Sequence, residues 1–223
     1  MIFRPARWIG LGLLLALTPA RAEDAPPRSA AEIMDILMWN REPVGGPFEL
    51  IDQTGRTRSE RDFRGRLMLV YFGFTGCPDV CPTDLQAIGL AMEKLGADAD
   101  SVQPLFVTVD PERDTPEHLA EYLPLFHPRL IGLTGGAEAI RHAADAYKVY
   151  YAKVSFGNDP SSYTVDHTAY IYLMDRDGNY LGFFPPGTSA ERMVEIIRPH
   201  LGNAPARERG IDRDVPCVRG RAA

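Results

Sequence analysis

Leu67–Cys81 reads LMLVYFGFTGCPDVC: an apolar run broken only by Gly73, a Thr-Gly turn, and two cysteines with three residues between them. A run of this length without polar alternation suits a central strand, because both of its faces must meet apolar layers. After the cysteines the period changes. Leu85, Ile88, Met92 and Leu95 fall on one face of a helix expected over Thr83–Leu95, and Thr83 with Gln86 makes a capping-box pattern. The cysteines therefore sit where a buried strand feeds into a helix.

Outward from this unit the alternation continues. Gln103–Val109 reads as a second buried strand. A helix is expected over Pro116–Phe126, with Thr115 as N-cap and Pro116 at the first helical position. Leu130–Leu133 is a short strand, Ala137–Tyr147 a helix and Val165–Met174 a long strand. Asp175–Asn179 (DRDGN) is a tight turn, Tyr180–Phe184 its hairpin partner and Ser189–His200 a closing helix. Upstream, Phe48–Ile51, a turn at Gln53-Thr54-Gly55 and Thr57 onward form an N-terminal hairpin. This order predicts an α/β fold with a central mixed sheet flanked by helices, over residues 48–201.

The chain ends carry other signals. Arg4 and Arg7 precede the apolar run Trp8–Leu17, and Ala20-Arg21-Ala22 supplies a cleavage pattern, so residues 1–22 read as a secretory signal peptide. The apolar run is shorter than the roughly 20 residues of a spanning helix, and an uncleaved anchor is the alternative. Residues 23–47 form a linker with a short amphipathic helix over Ala30–Trp39. Residues 202–223 form a polar, mobile tail with five Arg. Cleavage would remove three arginines and no acids, moving the net charge from −6 to −9. An acidic chain without a basic cluster lacks the electrostatic footprint for nucleic acid.

With 45% hydrophobic residues the domain can build a core without disulfide staples, so its three cysteines point to chemistry. Cys77 and Cys81 lie at the carboxyl end of a strand, where α/β sheets gather their sites. The helix N-terminus should favour thiolate over thiol there. A pair spaced C-x-x-x-C can hold one soft ion between its sulfurs, or close into a disulfide that constrains little of the unfolded chain. Cys217, in the tail, is expected to be inert. His118, His127, His142 and His200 fall on helices or loops and read as surface residues.

His167 opens the Val165–Met174 strand. Alternation puts it on one face with Ala169, Ile171 and Leu173, and turns Asp166 away. In thioredoxin-like folds this strand lies beside the redox loop, so His167 would complete a site of two thiolates and one imidazole. Thiolates select Cu(I), and imidazole accepts Cu(I) or Cu(II). Zinc is the other reading, but it normally takes a fourth ligand and none is evident.

Three motifs together resemble one family. Phe72–Pro82 (FGFTGCPDVCP), Val109–Pro116 (VDPERDTP) and Val165–Thr168 (VDHT) are similar to the Sco/SenC copper chaperones, over residues 45 to 201. The resemblance implies a thioredoxin-like domain in the periplasm that binds copper through Cys77, Cys81 and His167. It implies delivery of copper to the CuA centre of cytochrome c oxidase subunit II. An upstream copper donor and a thioredoxin-like reductant for the cysteine pair would be further partners. On this reading the chain carries metal rather than turning over a substrate. A thiol–disulfide oxidoreductase acting on the oxidase subunit or another periplasmic protein is the rival. Asp110, in the second motif, reads as a turn or cap residue for the loop leading to Thr115.

Overall fold

A computed structural model describes residues 29–202 except 158, 160 and 161. The expected signal peptide, and the tail with Cys217, lie outside the described residues. The linker helix is α1 (Ala30–Trp39), started by a capping box between Ser29 and Glu32. It buries Ile33, Ile36 and Leu37, and the Leu37 carbonyl accepts a hydrogen bond from the Tyr180 hydroxyl at 3.1 Å.

Among the described residues nine strands follow: β1 (Glu49–Asp52), β2 (Thr57–Ser59), β3 (Leu67–Gly73), β4 (Val102–Thr108), β5 (Ile131–Thr134), β6 (Tyr151–Ser155), β7 (Tyr163–His167), β8 (Ile171–Met174) and β9 (Tyr180–Phe184). Between them run α2 (Val80–Leu95), α3 (Pro116–Tyr122) and α4 (Ala137–Ala146), and α5 (Ala190–Leu201) closes the domain. Seven strands form one sheet in the order β2-β1-β5-β4-β3-β8-β9. β3, β4 and β5 are parallel, and β1, β8 and β9 join their neighbours antiparallel. Every residue of β3 and β4 is buried, as their unbroken apolar runs require. α2 and α5 pack on each other, and α3 lies against β5. The expected mixed sheet flanked by helices is present, and the N-terminal hairpin is β1–β2. The Asp52 carboxylate ties the turn of that hairpin to the amides of Thr54 (2.8 Å) and Arg56 (3.1 Å).

Three expectations need correction. The strand expected over Val165–Met174 is two strands. Tyr71 is the last β3 residue paired to β8, opposite Ile171, so residues before Ile171 find no neighbour in the main sheet. Residues 163–167 pair instead with β6, a strand not expected from the sequence, in a separate two-stranded ribbon. The helix expected from Thr83 begins at Val80, with Asp79 as N-cap, so Thr83 lies inside the first turn. Its hydroxyl donates to the Asp79 carbonyl at 3.0 Å, and the Thr83–Gln86 box is not formed. The helix expected over Pro116–Phe126 starts as foreseen, with Thr115 capping. It tightens into a 3-10 turn at Leu123–Leu125, where Pro124 supplies no amide to continue the ladder. Among the described residues no helix is long and apolar enough to cross a membrane.

Candidate metal centre

The end of β3 and the first turn of α2 deliver the cysteines. Cys81 lies fully buried in that turn, and Cys77 is half-buried in the preceding loop, its amide donating to the Phe74 carbonyl at 3.3 Å. Both are free thiols. The ribbon delivers the histidine. His167 ends β7, and its Nε2 lies 3.4 Å from Cys81 Sγ, although 86 residues separate the two in sequence. The Phe74 ring meets the His167 ring edge-on, centroids 5.8 Å apart. Asp166 points to solvent, as alternation required. The alternation does not carry through to Ile171, because the chain leaves extended pairing at residues 168–170.

Electrostatics set the resting state of these groups. His167 Nδ1 is 3.2 Å from the Thr168 carbonyl, which can only accept, so Nδ1 carries the proton and Nε2 presents its lone pair to the sulfur. Burial pulls the His167 pKa below 6.5, outweighing the Thr168 carbonyl and Asp166, and so favours the neutral ring. Cys81 overturns the expectation of a depressed thiol. Burial pushes its pKa up to about 12, against the lowering effects of the Phe74 backbone and the Tyr71 hydroxyl, while Cys77 raises it further. Desolvation of a fully enclosed sulfur outweighs the helix dipole. The apo site therefore holds a protonated thiol facing a neutral imidazole.

The floor of the site admits little extra volume. A Cβ on Gly73 would stand 3.1 Å from Cys81 Sγ, 3.1 Å from Tyr71 Cε1 and 3.0 Å from Phe106 Cε2. Asp84, one turn beyond Cys81, is buried. One carboxylate oxygen accepts from the Gly187 amide at 2.9 Å, and the other has no hydrogen-bond partner among the described residues, so burial raises its pKa.

The loop after β4 braces both halves of the site. Asp114 is buried and accepts from the Thr75 amide (3.1 Å) and hydroxyl (2.5 Å), fixing the turn before Cys77, and from the Thr108 hydroxyl (2.6 Å). Asp110 caps the loop as expected, its carbonyl accepting from the amides of Arg113 and Asp114. It does more than that: its buried carboxylate pairs with Arg113 and accepts from the Tyr163 hydroxyl at 2.9 Å. Of the histidines expected at the surface, His118 reaches Thr75 Oγ1 at 2.9 Å, beside the cysteine loop. Tyr163, Thr75 and Asp114 were not foreseen as parts of the site. Thr75 and Asp114 sit inside quoted motifs, but Tyr163 carries no signal short of the ribbon itself.

The donor set is soft sulfur plus an imidazole whose far nitrogen is tied to a carbonyl, which suits copper better than a hard cation. Cys81 and His167 are in contact. Cys77 acts on the Cys81 thiol from the preceding loop, but among the described residues no three His, Cys, Asp or Glu side chains are placed to hold an ion together. A three-ligand site thus needs the two sulfurs and the imidazole to draw closer together than they stand here.

Residues 38–202 match the SCO1/SenC family model. The chain is 41% identical over 190 residues to an SCO2-like protein of Rickettsia prowazekii, covering 85% of this chain and 91% of the relative. It is 43% identical over 195 residues to the mitochondrial SCO2 homologue of Mus musculus, covering 86% of this chain and 75% of the relative. Among solved structures, Bradyrhizobium japonicum ScoI with copper bound superposes with a TM-score of 0.66 at 42% identity, covering 70% of this chain and 99% of that one. Yeast Sco1 with copper bound superposes with a TM-score of 0.67 at 36% identity, covering 78% and 97%. The fold shared with these structures is thioredoxin-like.

Proposed function

The chain belongs to the SCO1/SenC family, and from that premise we propose that it is an exported copper-binding protein of cytochrome c oxidase assembly, holding one copper ion with Cys77, Cys81 and His167. The observation that carries this reading is the 3.4 Å contact between Cys81 Sγ and His167 Nε2, with the imidazole oriented by Thr168. Relatives solved with copper bound lend it support.

The finer reading is delivery of copper to the CuA site of oxidase subunit II in the periplasm. His167 presents a neutral lone pair, and the buried Cys81 thiol gives up its proton as the ion binds. Cys77, on the accessible side, closes over the ion. Because Cys77 is the half-exposed sulfur and Cys81 the buried one, Cys77 is the first sulfur that an acceptor's cysteine could replace. Copper then leaves by stepwise exchange of sulfur ligands. Oxidation of the pair to a disulfide would remove both sulfurs from the donor set, so a thioredoxin-like reductant belongs to the cycle.

The test is copper stoichiometry of the reduced protein by metal analysis and absorption. Wild type should hold one ion. His167→Ala should lose at least about tenfold in affinity, since loss of even a ligand's orienting partner typically costs about 10- to 100-fold. Full binding by His167→Ala would end the reading. A rival role as a thiol–disulfide oxidoreductase rests on the two free thiols, one in the loop after β3 and one in the first turn of α2. It requires reductase turnover on an oxidised acceptor that survives the loss of His167.

A further inference from the structure

His167 rides on a ribbon that the main sheet does not hold. Among the described residues β6 and β7 pair only with each other. At the base of the ribbon the Thr168 amide donates to the Tyr150 carbonyl at 2.9 Å, and Tyr151 pairs with His167. Just before it, Lys148 takes a left-handed conformation with φ of 60° as the chain leaves α4. The far end of the ribbon, where Ser155 pairs with Tyr163, is four residues from the histidine. Something must fix the swing of this arm if its imidazole is to stay beside Cys81.

The loop 110–114 reaches it with three charged side chains. The buried Asp110 carboxylate accepts from the Tyr163 hydroxyl at 2.9 Å. Glu112 pairs with Lys153 of β6 at 2.6 Å. Arg113 lies 3.9 Å from the Tyr163 ring centroid, donates to the Tyr163 carbonyl at 3.2 Å and pairs with Asp110. The same guanidinium lies 5.8 Å from the centroid of Phe74, whose ring meets His167. The fourth charged residue, Asp114, faces the other way and holds Thr75 in the cysteine loop. One five-residue loop thus grips the histidine arm with Asp110, Glu112 and Arg113 and the cysteine arm with Asp114.

We propose that this loop is a clamp that sets the distance between His167 and the cysteines, with Arg113 and Tyr163 as positioning residues whose engagement governs how fast bound copper is released. The proposal rests on copper as the cargo, as argued above. A ligand present in place only a fraction of the time lowers affinity by that fraction. Releasing Tyr163 from Asp110 and Arg113 should therefore speed loss of the ion without changing any ligand.

Full-length protein, reduced, is compared as wild type, Arg113→Gln, Tyr163→Phe and Glu112→Gln. Amide hydrogen exchange on the apo protein reads the arm directly. Exchange at residues 163–167 should rise in Arg113→Gln and Tyr163→Phe while β3 and β4 stay protected. Release of Cu(I) to an excess of chelator should quicken about tenfold in Arg113→Gln, the weight of a charge-assisted contact, and less in Tyr163→Phe. The nitrogen hyperfine signature of the Cu(II) form should broaden in both. Glu112→Gln, which breaks an exposed pair, should change release about twofold at most. Unchanged exchange on the arm would overturn the clamp. So would faster exchange with unchanged copper release and spectrum. If Arg113→Gln does not fold, the isosteric Tyr163→Phe decides alone. Failure of wild type to bind copper would overturn the functional reading instead, and the exchange arm would still judge the clamp.

Discussion

Cys81 and His167 show how burial sets the chemistry of a site. A thiol at a helix N-terminus is normally read as activated, yet enclosure raises Cys81 to about 12 and keeps it protonated until something displaces the proton. The same enclosure keeps the imbalance between the two cysteines, one sealed and one half-exposed. Gly73 belongs to this scale too. It is the only break in the apolar run, and it is there because the sulfur, a tyrosine edge and a phenylalanine edge converge where its side chain would be. Gly73→Ala should push Cys81 by a few tenths of an ångström and cost about 1–3 kcal/mol of stability from overpacking. Urea unfolding measures that loss. Copper affinity should weaken by about tenfold, roughly 1.4 kcal/mol, in a chelator competition.

At the scale of elements, the positions of α2 and the ribbon matter most. α2 places Cys81 because it starts at Val80, one turn earlier than its capping pattern implied. It is held close to the segment after α3: a Cβ on Gly89 would stand 2.5 Å from the Phe126 carbonyl oxygen. Helix propensity alone favours Gly89→Ala by about 1 kcal/mol. A backbone oxygen cannot step aside as a side chain can, so the clash should win and leave a net loss of about 1–3 kcal/mol by denaturant titration. Net stabilisation would show that α2 can slide, and with it Cys81. The ribbon is the converse case. Its strands are short and half-exposed, carry no long apolar run, and are legible only through their partner strand.

Across the whole molecule, the sheet edge adds a pH-sensitive fastening. Asp52, buried at the β1–β2 turn, is drawn down to about 2: burial raises its pKa, but hydrogen bonds from Thr54, Arg58 and the Arg56 amide overcome that. A folded-state pKa below the ordinary aspartate value of 3.8 contributes stability that is present above pH 3.8 and is lost as the pH falls toward 2. A tenfold change in an acid constant corresponds to about 1.4 kcal/mol, so that contribution is roughly 2 kcal/mol. Asp52→Asn should lower the stability measured by urea at pH 7 by about that amount. The difference between the two proteins should shrink as the pH is taken below 3.8.

Local pattern alone determined the sheet-and-helix layers, the buried strands β3 and β4, the hairpin at β1–β2, and the placing of Cys77 and Cys81 at a strand's end. Each rests on residues close in the chain: an unbroken apolar run, a helical period, a capping threonine at Thr115. The family's three motifs also singled out His167 beforehand. Tertiary structure decided the rest. The β3–β8 ladder ends at Tyr71 and Ile171, and pairing with β6 instead puts His167 on a ribbon rather than on the main sheet. Burial from every side reversed the expected state of Cys81, and Tyr163 joined the site only because the loop after β4 lies against it. These depend on which distant surfaces meet and on how much water they exclude, and neither quantity is written in the order of neighbouring residues.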